Sequence, residues 1–210
     1  MRAGPAERAA AARARLMGQD RLKIRHNARL VDGGTMLKRR VVTKQELDGI
    51  IERLADEINR DLKGKDPVFV GVLKGAVYFF TALTQRLTRS VAVDFIQVSS
   101  YGASTSSSGM VTLIKDLTVD IAGKDVYVVE DIVDTGITLV DVLALIAARH
   151  PRSLKVVALL SKPSRRKREV PVDFVGMEIP DVFVVGFGLD FAEQFRNLPE
   201  IWEFAMEEGG

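Results

Sequence analysis

The chain has 210 residues, 47% of them hydrophobic, and contains no cysteine. This length predicts one domain with a sizeable core, the lack of cysteine excludes a disulfide framework and thiolate chemistry, and no apolar run is long enough to span a bilayer. Residues 1–30 hold eight Lys and Arg residues against two acids, a net charge of +6, so the total of +2 leaves −4 for the remainder and argues against a broad nucleic-acid surface.

A basic, alanine- and arginine-rich extension covers residues 1–35. It has few apolar anchors before Leu16, so we expect it to be poorly ordered. Its shortage of acids resembles an organellar transit peptide, but nothing else suggests import, and the missing apolar core excludes a secretory signal. We therefore expect a cytoplasmic protein with a single domain over residues 36–206.

The first predicted helix spans residues 44–61. Thr43 and Glu46 have the spacing of a capping box, in which each residue satisfies a backbone N–H of the other. Apolar residues follow at helical spacing, so one face of this helix should pack against the core.

Strands and helices then alternate along the chain. Buried strands are predicted at residues 68–73, 91–99, 126–129 and 153–160, with a helix over residues 76–87. Such alternation predicts a parallel sheet with helices on both faces. Ligands of these sheets bind beyond the carboxyl ends of the strands, where polar side chains are therefore of interest.

Two further segments are predicted to be loops. Small polar residues dominate positions 99–109 and predict a mobile loop, in which the aromatic Tyr101 is unexpected. The basic run at residues 164–168 is typical of a solvated loop.

Polar groups concentrate at the end of the central predicted strand. Glu130, Asp131 and Asp134 follow the apolar run 126–129, and the polar turn 134–138 leads into a helical pattern. A helix start offers unpaired N–H groups that suit a phosphate, and clustered carboxylates suit Mg²⁺ and sugar hydroxyls. The stretch therefore predicts a site for a ligand with a phosphate, a polyol and a metal.

A simpler interpretation of the same stretch is structural. Asp134 or Thr135 would then only cap the next helix. Joint action of Glu130 and Asp131 has its own requirement, because neighbouring strand residues point in opposite directions. Both carboxylates can face one ligand if the strand has ended by Glu130.

Residues 129–138, Val-Glu-Asp-Ile-Val-Asp-Thr-Gly-Ile-Thr, resemble the phosphoribosyl pyrophosphate (PRPP) signature of type I phosphoribosyltransferases. The Glu-Asp form resembles the 6-oxopurine branch, the hypoxanthine-guanine phosphoribosyltransferases of bacterial type, and further motifs in the family's order extend over residues 36–202. The resemblance implies an α/β fold with a parallel twisted sheet of about five strands flanked by helices, a small hood from terminal segments and a mobile lid at about residues 99–111. It also implies Mg²⁺-dependent transfer of the phosphoribosyl group from PRPP to N9 of hypoxanthine or guanine, giving IMP or GMP and pyrophosphate.

The resemblance assigns the sugar-phosphate half of the site to the central stretch. Asp134 would accept the proton of purine N7, and Glu130 and Asp131 would face the ribose hydroxyls and the metal. The 5′-phosphate would be held by the turn Asp134, Thr135, Gly136, Ile137 and Thr138. Ile137 stands where several relatives have a lysine, so backbone N–H groups and hydroxyls would carry more of the phosphate binding here.

The resemblance places the pyrophosphate at two other motifs. Lys74-Gly75 would form the pyrophosphate loop, whose peptide can be cis in the family, and Arg196 would contact the same group. Ser100 and Tyr101 would belong to the lid. A solvated lysine at a strand end and a surface arginine in a turn are the simpler interpretations.

The purine would be chosen by residues nearer the C-terminus. By the same resemblance, Lys162 would donate to the purine 6-oxo group, Phe183 would stack on the base, and Val184 would meet the base edge through its main chain. Asp190 would bind a second Mg²⁺ beside the base. Ordinary sheet core is the simpler interpretation for Phe183 and Val184.

Three classes of function are thus open. The enzyme hypothesis implies PRPP and a 6-oxopurine as substrates, no nucleic-acid or membrane partner, and a homodimer or homotetramer. A PRPP-sensing transcriptional or RNA-binding regulator of the same fold is the alternative, supported only by the basic extension and the run 164–168. An inactive scaffold is disfavoured, because the expected site residues are all present: Lys74, Asp134, Lys162, Asp190 and Arg196.

Overall fold

The computed structural model describes residues 37–99 and 111–205. Those residues form nine strands, three α-helices and one 3₁₀ turn, Pro163–Arg165. In chain order the strands and helices are β1 Leu37–Val42, α1 Lys44–Asp61, β2 Pro67–Val72, α2 Val77–Thr84, β3 Ala92–Ser99, β4 Thr112–Lys115, β5 Asp125–Val133, α3 Ile137–Ala147, β6 Ser153–Ser161, β7 Phe174–Glu178, β8 Val184–Val185 and β9 Ile201–Phe204. The basic extension, Ser100, Tyr101 and most of the predicted lid lie outside the described residues.

The main sheet has six strands in the order β4-β3-β2-β5-β6-β7. The five strands from β3 to β7 in this order are parallel, and β4 adds an antiparallel edge. The predicted parallel sheet is therefore confirmed. Its centre is β5, whose apolar run from Val126 to Val129 is fully buried because the sheet is covered on both faces.

Two apolar clusters cover the two faces of the sheet. Tyr127 and Val129 of β5 pack with residues of α1 and α2 in one cluster, and Val126 and Val128 pack with residues of α3 in the other. This division follows the strand period of two, which sends successive side chains to opposite faces.

Helix α1 begins as the sequence predicts. The backbone N–H of Thr43 donates to Glu46 Oε2 at 2.8 Å, and the N–H of Glu46 donates to Thr43 Oγ1 at 3.3 Å, which completes the capping box. Helix α2 is shorter than predicted, because the N–H groups of Arg86 and Leu87 bond three residues back, to Leu83 and Thr84, in tighter turns.

A second, smaller sheet forms the hood. It is antiparallel, with the order β1-β9-β8, and therefore joins the first described segment of the chain to the last. Its apolar residues, which include Trp202 and Phe204, form a separate cluster. The second sheet agrees with a small hood, and its origin from terminal segments stays a prediction. Within the described ranges, no helix is long and apolar enough to cross a membrane.

Candidate active site

The central strand extends beyond its predicted end and includes the two acids Glu130 and Asp131. The predicted strand stopped at Val129, whereas β5 continues to Val133, which still pairs with Ser161 of β6. The strand has therefore not ended by Glu130, and the simple requirement for joint action of the two acids is not met.

The side-chain alternation of β5 is nevertheless interrupted at the two acids. Val129 and Ile132 pack against the same cluster, whereas Val133 packs into the cluster on the opposite face. Strict alternation would put Val129 and Val133 on one face and Ile132 on the other. The change in alternation thus falls at Glu130 and Asp131. Alternation therefore does not force these two side chains to opposite faces of the sheet.

Burial and mutual repulsion act on these two carboxylates. Burial raises the pKa of Glu130 well above its usual range, and the neighbouring charge of Asp131 raises it further. Burial also raises the pKa of Asp131, although Arg196 opposes that shift. Two half-buried acids side by side favour a cationic ligand, because a cation removes the cost of ionising both.

The Lys74-Gly75 loop lies directly against Asp131. A side-chain carbon added to Gly75 would stand 1.8 Å from Asp131 Oδ2, so only glycine allows the carboxylate to approach the backbone this closely. The cis peptide of this region joins Leu73 to Lys74, one bond before the Lys74–Gly75 peptide for which the sequence raised that possibility. The Lys74-Gly75 loop and the acids of β5 are therefore in contact.

Charged groups of the C-terminal loop complete this side of the site. Arg196 Nη2 lies 2.8 Å from Asp190 Oδ1, and Arg196 Nη1 donates to the carbonyl oxygen of Gly188 at 2.7 Å. Lys74 Nζ lies 3.0 Å from Glu193 Oε2, and Arg196 Nη2 lies 3.5 Å from Glu193 Oε1. Lys74 and Arg196, predicted from separate motifs, are brought together by one acid.

The turn after β5 leads into α3. Gly136, with a φ of +78°, is the N-cap residue of the helix and has no side chain, and Thr135 Oγ1 accepts from the N–H of Ile137 at 3.4 Å, a long hydrogen bond. The carboxylate of Asp134 instead accepts from Arg165 Nε at 3.1 Å. Asp134 therefore does not cap the helix, Thr135 does so only weakly, and the first N–H groups of α3 remain suited to a phosphate.

The basic run is mostly exposed, as the sequence predicts, but it also binds the turn after β5. The N–H groups of Lys167 and Arg168 donate to the carbonyl oxygen of Thr135 at 2.9 and 3.1 Å, and Arg166 donates to the carbonyl oxygen of Asp134 at 2.8 Å. A second nitrogen of Arg166 donates to Ser161 Oγ at 2.9 Å. Carbonyl groups of an irregular turn need donors, and this segment supplies them. We name residues 165–168 the clamp segment.

The residues predicted to meet the purine divide into buried and exposed members. Lys162 is only 5% exposed, and its Nζ lies 3.9 Å from Asp134 Oδ2. Phe183 is 43% exposed, so its interpretation as sheet core is wrong, whereas Val184 is 5% exposed and does belong to the core. Arg165 Nε also lies 3.5 Å from Asp181 Oδ1, which ties the segment before Phe183 to Asp134.

Comparison with known proteins places these features in one family. Residues 41–192 match the family described as the phosphoribosyl transferase domain. A hypoxanthine-guanine phosphoribosyltransferase of Bacillus subtilis is 44% identical over 161 residues, which are 77% of this chain and 89% of that protein. The chain belongs to the hypoxanthine-guanine phosphoribosyltransferases.

Solved structures of the family share the fold. A hypoxanthine phosphoribosyltransferase from Staphylococcus aureus superposes with a TM-score of 0.77 at 42% identity, over 81% of this chain and 92% of that one. A hypoxanthine-guanine phosphoribosyltransferase from Bacillus anthracis, which holds a HEPES molecule in its active site, gives 0.77 at 41% identity, over 80% and 99%. The type I phosphoribosyltransferase fold predicted from the sequence is thereby confirmed.

The acids predicted for the metal do not form a closed cage. Within residues 37–99 and 111–205, no group of three or more His, Cys, Asp or Glu side chains is placed to hold a metal ion. Mg²⁺ is usually bound by one or two carboxylates together with water and substrate phosphates. The adjacent pair Glu130 and Asp131, with raised pKa values, fits a Mg²⁺ ion of that kind, and Asp190 fits as a single ligand of another.

Three side chains of the site escaped the sequence analysis. Glu193 joins Lys74 to Arg196, Arg165 holds Asp134, and Arg166 fixes the phosphate turn. The two arginines lay in a run whose composition indicated solvent exposure. The one signal in the sequence was the run of basic residues that follows the polar end of a strand. Residues at that place can reach the turn at the end of the neighbouring strand.

Proposed function

We propose that the protein transfers the 5-phosphoribosyl group of PRPP to N9 of hypoxanthine and guanine, releasing pyrophosphate. The observation that carries this is the pair formed by Lys162 and Asp134, 3.9 Å apart at the end of the central strand, beside the start of α3. A purine needs a donor and a proton acceptor at this spot, and the nucleotide phosphate needs the helix start. The relatives named for this reaction supply independent support.

The Lys162 ammonium explains the choice of purine. An ammonium group has donors only, so it pairs with a 6-oxo group and not with the 6-amino group of adenine. Because Lys162 is buried, a base that leaves it unpaired loses much of the binding energy. The exposed ring of Phe183 offers a stacking face for the same base.

The carboxylate of Asp134 has two tasks in this proposal. It accepts the proton that leaves purine N7 as N9 attacks the ribose carbon, which is general base catalysis. Its second oxygen stays bonded to Arg165, so the accepting oxygen is held in a fixed direction. The bond between the ribose carbon and pyrophosphate breaks through an oxocarbenium-like transition state, as in other glycosyl transfers.

The ribose and the pyrophosphate meet opposite charges. Glu130 and Asp131 face the ribose hydroxyls and would hold Mg²⁺, Asp190 would hold a second ion, and the bound metal would neutralise the leaving pyrophosphate. Lys74, the N–H of Gly75, and Arg196 receive the pyrophosphate oxygens. The N–H groups of Gly136, Ile137 and Thr138 and the hydroxyls of Thr135 and Thr138 hold the 5′-phosphate.

The experiment is a turnover assay with PRPP, Mg²⁺ and each of hypoxanthine, guanine, xanthine and adenine. We expect turnover with hypoxanthine and guanine, none with adenine, and none after chelation of the metal. Absence of turnover with every 6-oxopurine would contradict the proposal. The family membership gives no support to the regulator alternative. We also propose a cytoplasmic location, a lid to which Ser100 and Tyr101 belong, and a homodimer or homotetramer.

A further inference from the structure

One acid of the C-terminal loop has no role in the proposed reaction, yet it occupies the pyrophosphate side of the site. Glu193 lies with Oε2 3.0 Å from Lys74 Nζ and Oε1 3.5 Å from Arg196 Nη2. These are the two cations assigned to pyrophosphate. Its two oxygens therefore lie against the two cations that the proposed function gives to pyrophosphate.

The backbone aims Glu193 at the two cations. Ala192, Glu193 and Phe195 all have positive φ values, of 50°, 65° and 73°, which side-chain-bearing residues rarely adopt. The N–H of Glu193 donates to Asp190 Oδ2 at 2.8 Å, which ties the loop to the predicted metal ligand. A costly local conformation held by its own hydrogen bond indicates a specific placement of the carboxylate.

The ion pair between Lys74 and Glu193 is weak enough for another anion to replace the carboxylate. The side chains of Lys74 and Glu193 are each 55% exposed, and exposed pairs of this kind contribute little net free energy. A pyrophosphate carries more charge and forms more charge-assisted hydrogen bonds, so it can displace a single carboxylate.

We propose that Glu193 is an internal substitute for pyrophosphate: it binds Lys74 and Arg196 in the resting protein, leaves when PRPP binds, and returns as pyrophosphate departs. This rests on the proposed function, because the two cations must be the pyrophosphate ligands. The carboxylate lowers the affinity for pyrophosphate and shortens its residence time. Release of product is a common limit on kcat, so this competition speeds turnover.

The test uses Glu193→Gln in the full chain. The amide keeps the size of the side chain and removes its charge, so Lys74 loses its internal competitor, whereas Arg196 loses only the more distant of its two carboxylates. We expect magnesium pyrophosphate to bind about fivefold more tightly, the upper range for one exposed ion pair, as measured by calorimetry and by product inhibition against PRPP. The KM for hypoxanthine should not change, whereas a merely structural defect would alter both substrates.

Two further variants serve as controls. Glu193→Asp keeps the charge and should restore a pyrophosphate affinity near that of the original protein. Glu57→Gln removes an exposed acid of α1 that pairs with Arg53 at 2.8 Å, far from the site, and should change nothing. Thermal unfolding of each variant checks that the fold is intact.

The outcomes separate the inference from the function on which it rests. If the original protein turns over hypoxanthine but Glu193→Gln binds pyrophosphate equally or more weakly, the inference is overturned and the proposed function stands. If the original protein neither turns over a 6-oxopurine nor binds magnesium pyrophosphate, both are overturned. Tighter pyrophosphate binding in Glu193→Gln alone, with rescue by Glu193→Asp, supports the inference.

Discussion

The two halves of the site are held by different kinds of contact. On the side proposed for the purine and 5′-phosphate, hydrogen bonds to main-chain carbonyl groups join buried Lys162, the clamp segment and the turn after β5, in addition to the ion pairs of Asp134. On the pyrophosphate side, Lys74, Glu193 and Arg196 are joined by side-chain ion pairs, and one of these is more than half exposed. From this difference we expect the nucleotide half to be preorganised, and the half proposed for the leaving group to exchange one anion for another.

The largest expected effect tests the fixed half. Asp134→Asn removes the proton acceptor and keeps the shape of the side chain, so kcat should fall by about 10²- to 10⁴-fold, the usual contribution of a general base. PRPP affinity should be retained, because the carboxylate does not cap α3. Single-turnover kinetics and PRPP binding measure the two quantities separately.

Asp181→Asn is the matched control for that variant. Asp181 is the other carboxylate near Arg165 Nε, at 3.5 Å, and is more exposed than Asp134. Its kcat should stay near that of the original protein. Loss of PRPP binding in Asp134→Asn would show that the residue mainly shapes the turn.

The next effect tests the point where the two halves touch. Gly75→Ala would place a carbon 1.8 Å from Asp131 Oδ2, so the acid and the loop must separate. Displacement of reacting groups by about 1 Å can cost about 100-fold in rate, and we expect a loss of that size in kcat/KM for PRPP. Gly49→Ala is the control, because a carbon added there in α1 meets nothing within 4 Å. Equal activity of the two variants would contradict the contact between the halves.

A smaller effect is expected at Lys162, and it tests the role of this residue in the choice of purine. Lys162→Gln replaces the ammonium with an amide, which can either donate or accept. We expect kcat/KM for hypoxanthine to fall by about 10- to 100-fold, the worth of a hydrogen bond to a charged group, and the preference over adenine to narrow. Parallel assays with both bases measure the ratio, and an unchanged ratio would remove Lys162 from purine selection.

The smallest effect concerns the clamp segment. Arg166→Met removes the donors to the carbonyl oxygen of Asp134 and to Ser161 Oγ, so the phosphate turn should loosen. We expect the KM for PRPP to rise by about tenfold, since one or two hydrogen bonds from a charged group are lost. Arg168→Met, whose side chain is exposed, is the matched control. A rise in both variants would point to net charge instead of to the clamp.

The fold and the strand-end acids were readable from the sequence because each depends on a local pattern. The capping box of Thr43 and Glu46, the apolar run before Glu130 and the turn at Gly136 are all short-range signals. The residue matches of the family added Lys74, Lys162 and Arg196. What each of those residues binds in this protein stays a prediction for the experiments above.

The contacts that join these motifs were not readable in the same way. The pairing of Lys74 with Glu193 spans 119 residues, and that of Asp134 with Arg165 spans 31. Neither pair has a spacing that marks it, because tertiary contacts between loops follow no period. The length of β5 was also missed, since charged residues at 130 and 131 look like the end of a buried strand until the interrupted pleat is seen.

Gly188 limits how parts of this family can be recombined. It lies in the C-terminal loop with a φ of +101°. A side-chain carbon added to it would stand 2.0 Å from the carbonyl oxygen of Gly75. The two loops meet backbone to backbone. A longer side chain on one loop therefore cannot be offset by a shorter side chain on the other. Chimaeras that take the C-terminal loop from one relative and the Lys-Gly loop from another should therefore work only when both glycines are inherited together.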